Sequence, residues 1–146
     1  MAIYVIIDTN VVVSAMLSEH HDAATVQVLS AALNGDVHPI LSREVLDEYD
    51  SVLHRSKFSF KEKDIEDVLT TLIEQGSVIT PQTTNHVLPD IKDLPFYELF
   101  MGGGISKPYL ITGNRNHFPE NPRILTPRQM IDVMESGFLA HPSRPS

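Results

Sequence analysis

Polar side chains that could do chemistry follow several predicted strands of this 146-residue chain. Asp8 directly follows the first predicted strand, Ile3–Ile7, while Asp93 opens a helix after the third strand and Asn114 follows the fourth. Glu48 lies on a predicted helix that begins just after the second strand. Because ligands of open α/β sheets bind at the carboxyl ends of the strands, we expect these side chains to face one crevice.

The charge of this group indicates its chemistry. Three carboxylates at one point repel each other and raise one another's pKa, so Asp8, Glu48 and Asp93 stay ionised together only when cations neutralise them. Oxygen ligands of this kind suit Mg²⁺ or Mn²⁺. Two such ions about 4 Å apart can activate a water molecule and stabilise the leaving oxygen in phosphodiester cleavage. The residue types therefore predict a metal-dependent catalytic site formed by these three acids and Asn114.

Each acid also has an ordinary structural explanation when it is considered alone. An aspartate after a strand commonly caps the next helix, and this explanation fits both Asp8 and Asp93. Glu48 shares a helix face with Glu44, and a solvated helix face is the usual place for either glutamate. The convergence of polar residues from four elements favours the catalytic interpretation over four separate coincidences.

Strand and helix patterns alternate along the whole chain. Such alternation predicts a three-layer α/β/α fold with a central parallel sheet of four to five strands. The run at Ile3–Ile7 is apolar, mostly β-branched or aromatic, and has no polar alternation, which is typical of a strand in the middle of the sheet. No repeat, linker or change of composition divides the chain, so we predict one domain over residues 1–137 and an unpaired tail over 138–146.

Capping signals locate the helices that carry the candidate residues. Ser42 is placed to cap the helix of Glu48, and Asp93 is placed to cap the helix that follows it. Asp90 lies at the same helix mouth and is predicted to support the site from there. A capping box that begins at Thr126 opens the last predicted helix.

The chain is acidic, with 19 Asp and Glu residues, 11 Lys and Arg residues and a formal net charge of −8. Such a chain repels nucleic acid on the whole, so a nucleic-acid partner has to approach local cations. The segment His54–Lys63 is basic and carries Phe58 and Phe60, a composition that suits stacking on single-stranded bases. The alternative is a loop whose phenylalanines pack into the core while its lysines face water, and the sequence leaves both interpretations open.

The composition also bears on the compartment. The chain has no cysteine, which excludes disulfides and thiolate zinc sites. Its N-terminus lacks the pattern of a signal peptide, and no apolar run approaches the roughly 18 residues of a membrane span. We therefore expect a cytoplasmic protein that has no membrane partner.

Several motifs occur together in an order that is typical of a known family. They are DTNVVVSA (8–15), EVLDEYDSVLHR (44–55), DIKDLPFYELF (90–100), YLITGNRNHFP (109–119) and ILTP (124–127). On these motifs the chain resembles the PIN domain family, and within it the VapC-like toxin components of bacterial type II toxin–antitoxin pairs. The resemblance implies that Asp8, Glu48 and Asp93 bind a divalent ion for ribonuclease chemistry.

The resemblance also implies supporting roles for nearby residues. Thr9 and Asn10 would orient the preceding aspartate or a metal-bound water, and Ser14 would belong to the same group. The fourth acidic position of the family, usually Asp after a Thr-Gly pair, matches Asn114 here. That departure, together with Asn116 at the next such position, removes negative ligands and bears on whether a second metal binds.

The function implied by the resemblance is that of a Mg²⁺- or Mn²⁺-dependent endoribonuclease that cleaves single-stranded RNA, forms a homodimer and is neutralised by a cognate antitoxin. The cations that we expect to contact RNA near the crevice are Arg55, Lys57, Arg115 and His117. One alternative is a non-catalytic RNA- or protein-binding module that kept the fold after losing the fourth acid. Another is an aspartyl-phosphate receiver, although Asn10 occupies the place of the second acid that such chemistry needs.

Overall fold

A sheet of five parallel strands forms the centre of the computed structural model, which describes residues 2–83 and 85–139. The strands are β1 (Tyr4–Ile7), β2 (His38–Leu41), β3 (Ser77–Val78), β4 (Tyr109–Ile111) and β5 (Ile124–Leu125). Their spatial order is β3-β2-β1-β4-β5, and each neighbouring pair is parallel. The predicted parallel α/β/α architecture is therefore confirmed.

In the described residues, six α-helices flank the sheet. They are α1 (Thr9–Leu17), α2 (Ala24–Leu33), α3 (Arg43–Leu53), α4 (Glu62–Gln75), α5 (Leu94–Gly102) and α6 (Pro127–Leu139). Helix α2 packs against α1, α4 and α6, while α3 packs against α1, α4 and α5. Short 3₁₀ turns occupy Ser56–Phe58, Ile91–Asp93 and Arg115–His117.

The middle strand is β1, as its unbroken apolar sequence predicts. Val5 and Ile6 are completely buried, and Ile7 is nearly so. Full burial of an aliphatic side chain of this size contributes about 1.5–3 kcal/mol to folding. The strand that leads into Asp8 is thus firmly anchored in the core.

The register between β1 and β4 determines which residues meet beyond the ends of the strands. Ile7 pairs with Ile111, and the Asp8 amide donates to the Ile111 carbonyl at 2.9 Å. The ladder therefore extends one residue past β1, and Thr112, the next residue after β4, comes to lie beside Asp8. This juxtaposition depends on the register and cannot be read from either segment alone.

Two of the predicted helix caps are confirmed. Ser42 Oγ accepts from the Val45 amide at 3.2 Å at the start of α3. At the start of α6 the Thr126 amide donates to Gln129 Oε1 at 2.9 Å, and the Gln129 amide donates to Thr126 Oγ1 at 3.2 Å, which completes the capping box. These local signals position the helix of Glu48 and the last helix correctly.

The predicted cap at Asp93 is wrong. A 3₁₀ turn leads directly into α5, so Asp93 already has helical backbone angles (φ −82°, ψ −14°), whereas a capping residue has an extended backbone. Its side chain makes no capping hydrogen bond. Asp90 has an extended backbone and serves as the cap of the preceding turn, where its Oδ1 accepts from the Lys92 amide at 2.9 Å. The Asp93 carboxylate is thereby left available to other partners.

The C-terminal boundary differs slightly from the prediction. Helix α6 continues to Leu139, two residues beyond the predicted end of the domain at residue 137. The rest of the predicted tail, residues 140–146, lies outside the described residues. Within the stretches of chain that the structure describes, no helix is both long and apolar enough to cross a membrane.

Candidate active site

Asp8 is a buried carboxylate, 4 % exposed, and both of its oxygens accept hydrogen bonds. Its Oδ1 accepts from the Thr9 amide at 2.8 Å, which makes Asp8 the N-cap of α1. Its Oδ2 accepts from Thr112 Oγ1 at 2.7 Å and, at 3.4 Å, from Asn10 Nδ2. Asp8 therefore caps α1, as the structural explanation predicts. The same hydrogen bonds hold its carboxylate in one orientation, which an active site also needs.

The loop after β4 is tied to the start of α1 by further hydrogen bonds. Asn10 Oδ1 accepts from the Gly113 amide at 3.1 Å, and Thr112 Oγ1 accepts from the Asn114 amide at 3.0 Å. Thr112 thus links Asp8 to the backbone of Asn114. Sequence analysis did not single out Thr112, although its place directly after β4 is a signal that could have identified it.

Asp93 approaches the same cleft from the start of α5 and is paired with His117. The distance from His117 Nδ1 to Asp93 Oδ2 is 3.0 Å, and the Asp93 side chain is 13 % exposed compared with 41 % for His117. The prediction placed His117 among the RNA contacts. In the structure it lines the cleft, and one ring nitrogen is engaged with Asp93.

Glu48 reaches the cleft from α3, while Glu44, one turn earlier, does not line it. The neighbouring Tyr49 is buried, and its hydroxyl donates to the Ile7 carbonyl at the end of β1. This hydrogen bond joins α3 to the strand that leads into Asp8. It therefore holds the helix that carries Glu48 against the strand that leads into the cleft.

One cleft, with a volume of about 410 Å³, brings most of the predicted site residues together. The predicted residues that line it are Asp8, Thr9, Asn10, Ser14, Glu48, Arg55, Asp90, Asp93, Asn114 and His117. Lys57 and Arg115 do not line it. Lys57 Nζ lies 5.1 Å from the centre of the Phe58 ring, and Arg115 Nε donates to the Ile124 carbonyl at 3.1 Å. Phe58 and Lys92 do line the cleft, and Lys92 was not among the predicted site residues.

Burial and like charge make the two aspartates costly to ionise. The pKa of Asp8 is raised to about 6, mainly by burial and also by the charge of Asp93, against the hydrogen bonds from Thr112 and Thr9, which lower it. Burial also raises the pKa of Asp93, although the contact with His117 lowers it, and the charges of Asp90 and Glu48 add to the rise. A cation in the cleft would relieve this repulsion.

The donor groups of the cleft can be matched to the needs of a divalent cation. Across the described residues no three His, Cys, Asp or Glu side chains are grouped so that they could hold one ion. Mg²⁺ is commonly held by one or two carboxylates together with water and substrate phosphate, so the Asp8 and Asp93 oxygens are a sufficient protein contribution. The buried hydroxyl oxygen of Thr9, the residue after Asp8, has no hydrogen-bond partner among the described residues and is a further oxygen that a cation could use. The residues present therefore fit a hard cation held by two carboxylates.

The fold and the cleft define a parallel α/β domain whose site lies beyond the carboxyl ends of its two central strands. A comparison with known families matches residues 4–116 to the PIN domain, so the chain belongs to the PIN domain family. PIN domains are generally metal-dependent nucleases, and the family supports a nuclease-type function that uses a divalent metal. No curated protein and no solved structure matches the chain significantly.

Proposed function

We propose that the protein is a Mg²⁺- or Mn²⁺-dependent endoribonuclease that cleaves phosphodiester bonds of single-stranded RNA. The observation that carries the proposal is the pair of acidic side chains, Asp8 and Asp93, that reach one cleft of a PIN domain from different elements. Each carboxylate has a fixed partner, Thr112 for Asp8 and His117 for Asp93. Two carboxylates that are fixed in one cleft in this way suit a cation between substrate and protein.

Each candidate residue has a distinct role in this proposal. Asp8 and Asp93 would hold the ion, Glu48 would add negative charge from α3, and Asn114 occupies the place of a fourth ligand. A bound divalent ion supplies charge neutralisation at the phosphate and activation of a water molecule. The protein's own contribution is to hold the carboxylates in place before the substrate arrives, which Thr112 does for Asp8.

The direct test is cleavage of a single-stranded RNA by the purified protein with Mg²⁺ or Mn²⁺ and with a chelator. We expect cleavage only with metal, and we expect Asp8→Asn to abolish it while the circular dichroism spectrum stays native. Glu44→Gln, on the same helix as Glu48 but outside the cleft, is the matched control and should retain activity. Undiminished cleavage by purified Asp8→Asn protein would overturn the mechanism.

A second candidate function is a non-catalytic PIN module that binds RNA or protein. It is favoured by Asn114, an amide where the family usually has an acid, and by the lack of a three-ligand acidic group among the described residues. This candidate predicts RNA binding without cleavage under every metal condition. Restoration of cleavage by Asn114→Asp would then show that the lost ligand is what separates the two functions.

We further propose that the protein acts in the cytoplasm as a toxin whose cognate antitoxin blocks the cleft, and that it forms a homodimer. These proposals rest on the motifs that resemble toxin components of toxin–antitoxin pairs. Induced expression should arrest growth, and a small open reading frame that abuts the gene should relieve the arrest when co-expressed. Light scattering on the purified protein tests the dimer separately.

A further inference from the structure

The side chains that line the cleft are not all acidic. Arg55 and Phe58 line it from the segment that follows α3, and Lys92 lines it from the turn that precedes α5. We propose that these three residues form a subsite for one unstacked nucleotide of the RNA, next to Asp8 and Asp93, and we call them the nucleotide subsite. The inference deepens the proposed function and rests on it for the nature of the substrate.

The position of Phe58 is set by an unusual backbone conformation. Phe58 ends a 3₁₀ turn, and the next residue, Ser59, adopts the left-handed region at φ 54° and ψ 32°. A residue other than glycine rarely adopts this conformation, and its use here lets the chain reverse so that the Phe58 and Phe60 rings stack with their centres 5.6 Å apart and an interplanar angle of 20°. Phe60 stacks on the Phe58 ring and does not itself line the cleft.

Phe58 is only half-buried. Both interpretations of the segment His54–Lys63, stacking on bases and packing into the core, are therefore partly correct for this ring. The Phe58 side chain packs against the core and also lines the cleft. An aromatic ring at the edge of a cleft is a stacking surface that accepts any base. The ammonium group of Lys57 lies over the same ring, and because Lys57 is exposed it can move to a phosphate when a base takes its place.

The two cations of the subsite are free to bind phosphate. Arg55 and Lys92 are exposed, and neither side chain makes a hydrogen bond or an ion pair with any described residue. His117, which also lines this cleft, is engaged with Asp93. On a chain of net charge −8, Arg55 and Lys92 thus bring positive charge to the cleft from two different segments.

An aromatic ring next to two cations favours single-stranded RNA over a duplex. A base can stack on Phe58 only when it has left its neighbours, and in this proposal its flanking phosphates are bound by Arg55 and Lys92. Bases within a duplex are stacked and paired, and side chains cannot reach their faces. The subsite therefore explains how an acidic protein binds RNA beside two carboxylates. It also explains why the RNA that binds is single-stranded.

The test measures binding in the presence of a chelator, so that no cleavage occurs. A short oligoribonucleotide with a fluorescent adenine analogue is titrated with protein as a single strand and as a duplex. Phe58→Leu keeps apolar packing but removes the ring face, and we expect about a tenfold loss of single-strand affinity and of the analogue's quenching. Phe60→Leu removes the supporting ring only, and we expect a loss of less than about threefold.

A second pair of variants tests the subsite even if Phe58→Leu fails to fold. Lys92→Gln changes an exposed side chain and should lower the slope of log affinity against log salt by about one, while Lys63→Gln, exposed on α4, should leave the slope unchanged. Equal affinities for Phe58→Leu and Phe60→Leu, with no change of slope in Lys92→Gln, would overturn the subsite. Tight duplex binding by the wild type would overturn it as well.

The outcome is separable from that of the proposed function. A wild-type protein that cleaves RNA while Phe58→Leu binds normally would refute the subsite and leave the nuclease proposal standing. A wild-type protein that never cleaves, but whose binding depends on Phe58 and Lys92, would refute the nuclease proposal and leave the subsite standing as a feature of a binding module.

Discussion

The two aspartates of the cleft and the nucleotide subsite differ in how their side chains are held. Asp8 and Asp93 are largely buried and each accepts a hydrogen bond from a defined partner. Arg55 and Lys92 are exposed and make no such bond within the described residues. Rigid placement suits groups that have to meet a reacting phosphate in one geometry, whereas mobile cations can follow a flexible strand. The comparison assigns chemistry to the first region and capture of the substrate to the second.

The largest expected effect concerns the cost of ionising Asp8. The Asp8 carboxyl holds its proton more tightly in the folded chain than in the unfolded chain, so protonation of Asp8 stabilises the fold at low pH. This stabilisation is lost as the pH rises from about 4 to about 6. Relative to wild type, Asp8→Asn should therefore gain up to about 3 kcal/mol of unfolding free energy between pH 4 and pH 7.5 without metal. Urea unfolding at both pH values measures the gain.

The matched control for this experiment is Glu44→Gln, whose stability relative to wild type should not depend on pH in this way. Addition of Mn²⁺ at pH 7.5 should stabilise the wild type and leave Asp8→Asn unchanged, since only the ionised carboxylate attracts the cation. A difference in unfolding free energy between wild type and Asp8→Asn that stays constant with pH would show that ionisation of Asp8 does not destabilise the metal-free protein.

The next effect concerns Thr112, which donates to Asp8 and accepts from the Asn114 amide. Thr112→Val keeps the shape and removes both hydrogen bonds, so cleavage and Mn²⁺ affinity should fall by about 10- to 100-fold. Thr112→Ser restores the hydroxyl and should recover most of the activity. Thr80→Val, at an exposed position, is the control. Normal metal affinity in Thr112→Val would mean that Asp8 needs no such partner.

A smaller effect distinguishes two roles for His117. If His117 positions Asp93 through Nδ1, then His117→Asn, whose amide nitrogen lies near the place of Nδ1, should keep kcat within about threefold, while His117→Gln should lower kcat about tenfold. If His117 instead contacts RNA, both variants should raise KM and leave kcat alone. Steady-state cleavage of one RNA substrate by the three proteins separates the roles.

The smallest effect belongs to the exposed cations. Arg55→Gln should weaken RNA binding about threefold to fivefold at low salt, and the difference should fade as salt rises. Lys63→Gln, exposed on α4 and outside the cleft, is the control and should change affinity less. An effect of Arg55→Gln that persists at high salt would indicate that Arg55 is as firmly held as the acids, which would break the contrast between the two regions.

The features of the fold that were predicted correctly depend on local patterns. The apolar run of β1 identified the central strand, and the Ser42 and Thr126 caps located α3 and α6. The rule that ligands lie beyond strand ends was enough to select Asp8 and Asp93 as residues of one cleft.

The features that were missed depend on contacts between distant segments. Thr112 meets Asp8 across 104 residues of sequence, and His117 meets Asp93 across 24. The position of Thr112 after β4 marks it as a candidate residue, but the two pairings follow from strand register and from the way a 3₁₀ turn runs into α5, so the local sequence predicts neither of them. The same is true of Lys92. Its place in the cleft depends on the 3₁₀ turn Ile91–Asp93, the turn that also prevents Asp93 from capping α5.

The central claim is that Asp8 and Asp93 together hold a divalent cation. The most direct measurement is the electron paramagnetic resonance signal of free Mn²⁺ during titration with protein, because the signal falls as the ion binds. We predict that wild type and Glu44→Gln bind Mn²⁺ equally, and that Asp8→Asn and Asp93→Asn each lose at least about tenfold in affinity. Equal Mn²⁺ binding by all four proteins would contradict the account.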